Sequence, residues 1–208
     1  MSPRRPDMAP LRRRDLAPDP FTQFARWREP AQREVPLPEA MTLATVDADG
    51  APDARMVLLK GSGSEGFSFF TNYGSAKAEQ LERNAIAAAV VYWRELDRQV
   101  RIRGSIRRLG TEASDAYFAT RPRDSQLGAW ASPQSRPIES RAEFDRRLDE
   151  VEERFADGDV PRPDHWGGYL LQPSTVEFWQ GQVGRLHDRF AYSRGGGGGG
   201  WRIQRLAP

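Results

Sequence analysis

The chain of 208 residues has no cysteine. That excludes a disulfide framework and any cysteine-ligated zinc or iron–sulfur centre. Histidine is nearly absent too. His165 and His187 are too few for a histidine-rich metal site, and His187-Asp188 has no third ligand at a usual spacing, so no metal is expected. The longest apolar run, Ile86 to Trp93, falls well short of the ~20 residues that a membrane-spanning helix needs. The arginines at 4, 5 and 12–14 are followed by no apolar stretch, so a secretory signal is not expected and the plain reading is a cytoplasmic protein. Lysine is scarce: among 31 basic residues only Lys60 and Lys77 are lysines. Where arginine serves almost everywhere, a retained lysine marks a position that needs a compact ammonium, or chance survival. What is present argues for a folded chain. Aromatics make up 10% and the net charge is only +2, which does not fit a disordered polymer. The length suits one domain of ~100–200 residues or at most two small ones.

Residues 1–20 are rich in Pro and Arg without apolar period and read as a mobile arm; residues 21–208 read as one domain. Phe21 to Arg33 predicts a short helix ended by Pro36 and Pro38. The pattern then becomes β. Strands are expected over Met41–Val46, Ala54–Lys60, Phe67–Thr71, Ile86–Trp93 and Gln99–Leu109, with a turn at Asp47–Gly50 and a loop over Gly61–Gly66. Within Gln99–Leu109, Val100, Ile102, Gly104 and Ile106 share one face and Arg101, Arg103 and Arg107 the other. Ser75 is an N-cap candidate for a helix over Ala76–Arg83, and Thr111 opens another through Ala119. Ser140-x-x-Glu143 reads as a capping box before the stripe Phe144, Leu148, Val151, Phe155. Gly168–Leu171, Thr175–Gln180, Arg189–Tyr192 and Trp201–Leu206 are further strand candidates. About eight mostly consecutive strands and four helices argue for an α+β, mainly antiparallel barrel decorated by helices, not a Rossmann fold. The six glycines Gly195–Gly200 read as a flexible hairpin loop; a phosphate cradle would need a helix to follow, whereas Trp201 onward looks like strand.

Four groupings can carry chemistry. In Arg55–Lys60, alternation sets Arg55, Val57 and Leu59 against Met56, Leu58 and Lys60; a buried strand with charged ends gives the same pattern. Lys77 lies in the first turn of a helix, where a cation opposes the macrodipole unless an anion sits there too, so Ser75–Gln80 is a candidate phosphate site. Tyr117 and Arg121 are i, i+4 before Pro122 and, with Arg123 and Ser125, could clamp a second phosphate; a charged helix end is the alternative. Phe178–Gly181 and Arg185–Arg189 gather an aromatic ring, an amide, guanidiniums, an imidazole and a carboxylate, but with no nucleophile elbow for a hydrolase.

The runs RMVLLK (55–60), TNYGSAKAEQL (71–81), RPRDSQLGAWAS (121–132), WGGY (166–169), EFWQG (177–181), RLHDRF (185–190) and the final RLAP (205–208) resemble the pyridoxamine 5′-phosphate oxidase family, in order from about residue 11 to the C-terminus. FWQG-x-x-x-RLHDR together with RPRDSQ-x-GAW is the specific part. The resemblance implies an FMN-binding split β-barrel, a homodimer, and FMN held between subunits. It implies FMN contacts from Arg55, Met56, Val57, Leu58, Leu59, Lys60, Phe70, Thr71, Lys77, Gln99, Gln134, Ser135, Trp179 and Arg189. It assigns the substrate phosphate to Lys60, Tyr117, Arg121 and Ser125, the substrate ring to Arg185, Leu186 and His187, and catalysis to Arg185 and His187. The implied reaction is oxidation of pyridoxine 5′-phosphate or pyridoxamine 5′-phosphate by dioxygen to pyridoxal 5′-phosphate, with release of hydrogen peroxide and, from the amine, ammonia.

Two residues depart from the pattern. Ala76 stands where the family commonly has Arg, which removes a guanidinium from the FMN phosphate and about 1.5–3 kcal/mol of binding unless another Arg substitutes. Pro6 stands where the arm usually carries a Tyr over the substrate. Two alternatives stand beside this reading. Another split-barrel flavoprotein with a different substrate explains the missing Tyr but not the intact RLHDR and RPRDS. A nucleic-acid binder is suggested only by Arg12–Arg14, and a +2 net charge gives little global field, so neither nucleic acid nor membrane is an expected partner.

Overall fold

The computed structural model describes residues 9–195 and 200–208. Helix α1 (Pro20–Glu34) opens with Pro20 in its first turn and Asp19 as cap, whose carboxylate accepts from the Phe21 and Thr22 N–H groups at 2.9 Å. Strands β1 (Ala40–Val46), β2 (Pro52–Leu58), β3 (Gly61–Gly63) and β4 (Gly66–Asn72) follow, then helix α2 (Ala76–Arg83). Strands β5 (Ile86–Trp93) and β6 (Arg98–Arg108) lead to helices α3 (Thr111–Ala119), α4 (Arg123–Ala131) and α5 (Arg141–Arg154). The chain ends with β7 (Trp166–Gln180), β8 (Asp188–Arg194) and β9 (Trp201–Leu206).

All strand pairs are antiparallel, in the order β2-β1-β5-β6-β7-β4-β3, with β8 and then β9 added beside β7. The sheet curls until β2 meets β4, a half-barrel where the sequence pattern suggested an antiparallel barrel. Its interior holds Met41, Leu43, Phe67, Phe69, Val91, Val100, Ile102 and Phe178, and α1 closes it with Phe24 and Trp27. The period-two reading of β6 holds: Val100, Ile102, Gly104 and Ile106 are buried, and Arg101, Arg103 and Arg107 face water. A second cluster, with Phe118, Leu127 and Trp166 at its centre, packs α3, α4 and α5 onto the start of β7. Among the described residues no helix is long and apolar enough to cross a membrane.

Several expectations need correction. Residues 9–20 are not a free arm: Leu11, Leu16 and Ala17 are buried, and the Leu11 N–H donates to Asp188 Oδ2 at 3.0 Å. Pro6 and the rest of residues 1–8 lie outside the described residues, as do Gly196–Gly199 of the glycine run. The second strand stops at Leu58: the Leu59 N–H still reaches Glu39, just before β1, but the Lys60 N–H turns to Ser68 on β4. The loop after it carries the short β3. Two strands expected over 168–180 are one, β7, whose ladder with β6 shifts register at Arg103/Gly104. Helix α4 was not foreseen. The capping box is half present: Ser140 Oγ accepts from the Glu143 N–H, but the Glu143 carboxylate reaches the Glu139 N–H.

Gly104 sets the register shift. A Cβ there would lie 1.9 Å from the Gln172 carbonyl oxygen and 2.8 Å from Pro173 Cα, all backbone that cannot step aside. Gly104→Ala is therefore expected to cost about 3 kcal/mol, a fall of roughly 6–12 °C in Tm at fixed protein and ligand concentration. Gly128→Ala, mid-helix with nothing within 4 Å, should be neutral or stabilising by up to about 1 kcal/mol. Equal melting curves for the two variants would contradict this account.

Candidate functional site

Helix α2 begins at a turn that leaves its end open. Ser75 holds the N-cap position, but its hydroxyl donates to the Asn72 carbonyl at 2.7 Å and caps no N–H of the helix. The first-turn N–H groups thus lack a side-chain cap, and Lys77 stands among them. Its ammonium donates to Gln134 Oε1 at 2.7 Å and to Thr71 Oγ1 at 3.2 Å, both neutral acceptors. Burial and then the neighbouring Arg55 charge pull its pKa from 10.5 down to about 8, against a weaker opposing pull from Asp53. Arg55 itself is engaged by its own chain, through Leu43 O, Thr45 Oγ1, Gln80 Oε1 and Asp53. Asp53 was missed in the sequence, and Gln80 stood only as the end of the Ser75–Gln80 candidate, without a role of its own. Their signal was spacing: Asp53 and Arg55 are i, i+2 on a strand, and Lys77 and Gln80 are i, i+3 on a helix.

Thr71 and Gln134 also line a cavity of about 470 Å3 with Leu58, Lys60, Phe70, Tyr117, Thr120, Arg121, Pro122, Ser125 and Trp166. Among the described residues no carboxylate lines it. Phe70 and Tyr117 stack at 4.0 Å, and Trp166 lies parallel to Phe70 at 5.5 Å. Gly168, opposite Phe70 across the β4–β7 pair, leaves room for that ring; a Cβ there would come within 2.8 Å of it. The Arg121 guanidinium lies over Trp166 at 4.5 Å, and its buried Nη1 has no hydrogen-bond partner among the described residues. Burial pulls its pKa below the usual guanidinium range, with the nearby Tyr117 acting against that. Tyr117 and Arg121 do meet, though not as neighbours on one helix. Helix α3 ends at Ala119, Arg121 sits in the connection, and Ser125 comes from the first turn of α4. The two phosphate candidates therefore adjoin, with Thr71 and Gln134 between them. Ser135, next to Gln134, is exposed with φ of 70°.

The third grouping lies on the sheet. Strand register aligns Gln99, Trp179 and Arg189 in one row across β6, β7 and β8. Beside it, Val183–Arg185 form a 3-10 turn with Gly184 at φ 69° and Arg185 at φ 63°. The segment is not extended, so Arg185 and His187 are not presented as i, i+2 neighbours on one face of a strand. Arg185 and Leu186 are exposed. His187 packs on Trp179 at 4.6 Å, and its Nδ1 accepts from the Gln182 N–H at 3.1 Å, which puts the proton of the neutral ring on Nε2. None of Arg185, Leu186 or His187 lines the cavity of Lys60 and Arg121 in the same chain. On β2, Met56 and Leu58 face outward, 61% and 41% exposed, while Val57 is half-buried; Leu59, just past the strand's end, is buried.

Uncompensated cations predict anion binding. Inorganic phosphate should raise the Tm of the ligand-free chain more than chloride at equal ionic strength. Part of that gain should vanish between about pH 8 and 9.5, where phosphate stays a dianion and Lys77 loses its proton, and Lys77→Met should show a smaller gain that is flat over that window. A pH-independent gain in the parent would contradict the assignment.

Comparison with known proteins agrees with this architecture. Residues 28–155 match the sequence model of pyridoxamine 5′-phosphate oxidase, and residues 166–208 match the pyridoxine 5′-phosphate oxidase C-terminal dimerisation region. A pyridoxine/pyridoxamine 5′-phosphate oxidase from Rubrobacter xylanophilus is 56% identical over 192 residues, 92% of this chain and 88% of that protein. One from Salinibacter ruber is 51% identical over 202 residues, 96% of this chain and 94% of that protein. Among solved structures, PhzG from Burkholderia lata, in complex with tetrahydrophenazine-1-carboxylic acid, superposes with a TM-score of 0.88 at 30% identity, covering 94% of this chain and 95% of that one. With both parts of its length matched and relatives above half identity, the chain belongs to the pyridoxamine 5′-phosphate oxidase family.

Proposed function

We propose that the protein oxidises pyridoxine 5′-phosphate or pyridoxamine 5′-phosphate to pyridoxal 5′-phosphate with FMN as cofactor and dioxygen as final acceptor, releasing hydrogen peroxide and, from the amine, ammonia. The observation that carries this reading is electrostatic. Lys60 and Arg121 enter an aromatic-walled cavity that has no carboxylate, and Lys77 stands behind its Thr71–Gln134 wall beside an open helix end. Two adjoining cationic sites suit two phosphorylated molecules held side by side.

The residues fit FMN. Lys77, Thr71, Gln134 and the first-turn N–H groups of α2 would hold its phosphate, and Arg55 supplies the second positive charge that Ala76 does not. Phe70, Ser135 and the Arg55–Lys60 segment border the same place. When bound, FMN supplies the two-electron acceptor for the substrate and returns those electrons to dioxygen. Lys60 and Arg121, with the Tyr117 and Ser125 hydroxyls, bind the substrate phosphate, which gives the Arg121 Nη1 its missing partner. Phe70, Tyr117 and Trp166 exclude water from that end. His187 enters as a donor through Nε2, since Nδ1 is taken by the Gln182 N–H; it orients and polarises the substrate oxygen or nitrogen.

Gln99, Trp179, Arg189 and the Arg185–His187 turn form a patch outside the chain's own cavity. We assign that patch to the cavity of a second subunit, with FMN between the two. The outward Met56, Leu58 and Tyr92 of the sheet, and the dimerisation region over 166–208, support this. One observation favours a second reading: the neighbour PhzG is solved with a tricyclic carboxylic acid, so a substrate without phosphate on the same frame is the alternative.

Peroxide release by the purified yellow protein discriminates. Both phosphorylated substrates, or one of them, should give peroxide and pyridoxal 5′-phosphate in equal amounts; none from either would overturn the reading. The subunit assignment has its own test. Arg121→Ala and Arg185→Ala homodimers should each lose about 10²-fold or more in kcat/KM with FMN retained. Dissociated together and reassociated, they should regain about one quarter of parental activity, because half the dimers are hybrids and each hybrid carries one intact site. No regain, with hybrids demonstrated by tagged subunits, would place both residues in one subunit's site.

A further inference from the structure

Two carboxylates on the sheet, Glu177 and Asp188, are buried and not used by the reaction, and Glu177 is the one that meets Arg189. Glu177, on β7, is 8% exposed, in a strand position whose neighbours Val176 and Phe178 point into the core. It faces the opposite way, among cations. Its Oε2 accepts from Arg101 Nη1 at 3.3 Å, directly across the β6–β7 pair. Its Oε1 accepts from Arg189 Nε at 2.9 Å, on the diagonal of the β7–β8 pair. Arg189 is held a second time, where its Nη1 donates to the Ala207 carbonyl at 2.8 Å. Pro208 disfavours a helical Ala207 and so keeps that terminal carbonyl on an extended path, a use for the final RLAP that the reaction leaves unexplained.

The two holds fix the guanidinium's plane. Nε and Nη1 are engaged, and Nη2 makes no hydrogen bond among the described residues. The group as a whole, Arg101 and Arg189 against one carboxylate, keeps one positive charge in excess. An arginine already restrained loses less rotamer freedom when it meets a ligand, so its contact is worth more.

We propose that Glu177 is a positioning residue: it locks Arg189 in the orientation that receives FMN. The proposal rests on the reading of Arg189 as a flavin contact. A carboxylate that merely neutralised Arg189 would do the reverse and weaken its hold on an anionic ligand.

Apo-protein titrated with FMN, followed by quenching of flavin fluorescence, separates these cases through a double-mutant cycle. Glu177→Ala should raise the FMN Kd roughly tenfold, and the near-isosteric Glu177→Gln should raise it less. Arg189→Ala should raise it at least as much. In the Arg189→Ala background, Glu177→Ala should change it by less than about twofold, because the carboxylate then has nothing to position. Should Glu177→Ala fold poorly, Glu177→Gln alone and in the Arg189→Ala background closes the same cycle. A Kd unchanged or tightened by the Glu177 substitutions, with Arg189→Ala still weakening FMN, overturns the positioning role alone. An Arg189→Ala Kd equal to the parent's overturns the underlying reading of Arg189 as well. A purely structural Glu177 would lower Tm and leave every Kd in place.

Discussion

Along one edge of β7, hydrogen bonding passes from β4 to β8 across Gln172–Ser174, while β6 keeps the other edge. Pro173 lies in that gap and has no N–H to give, and the β6 ladder shifts register opposite it, where only glycine fits. This change of partner splits the barrel. It also spaces the chemistry. The first half of β7 carries Trp166 and Gly168 against Phe70, the wall of the cationic cavity. The second half carries Trp179 between Gln99 and Arg189, and Glu177 beneath them. One strand therefore carries both patches, and its central gap lets them face different surfaces.

The cavity is built against the chain's own stability. Lys77 is held by neutral oxygens instead of a carboxylate, and Arg121 has a buried nitrogen without a partner. The folded pKa of Lys77, about 8, lies below its ordinary 10.5, so the unfolded chain binds more protons between those values. The ligand-free fold thus gains stability as pH rises through that window, and at neutral pH it carries the cost of a desolvated ammonium. Such a cost is the expected mark of a prearranged anion site. Supporting groups sit one layer out: Gln80 and Asp53 hold Arg55, and Glu177 holds Arg189.

Much of the frame was legible because its elements obey local rules. Ile86–Trp93 and Thr111–Ala119 have the bounds their patterns gave, and the β6 alternation reported its buried face residue by residue. The two lysines stood out by scarcity, and both belong to cationic sites. What was missed depends on distant partners. Leu11 and Leu16 look like part of a polar arm until the core and Asp188 receive them. RDSQLGAWA shows no strong helical stripe, and α4 forms because Leu127, Ala129 and Ala131 find cover under α3 and α5. The turn at Val183–Arg185 has only Gly184 to announce it, whereas the left-handed Arg185 is invisible in sequence. The residues to which the family resemblance points fall largely into two patches, one around the Lys60–Arg121 cavity and one on β6, β7 and β8, while spacing alone misjudged how Arg121 is presented.

The central claim is that uncompensated cations select a phosphorylated substrate. The most direct measurement is anaerobic, single-turnover bleaching of the flavin's visible absorption on mixing with pyridoxine 5′-phosphate or with unphosphorylated pyridoxine at equal concentration. The account predicts rapid bleaching by the phosphate ester and a rate at least about 10²-fold lower without the phosphate, since Lys60 and Arg121 then stay unpaired. Equal rates for the two compounds would contradict it.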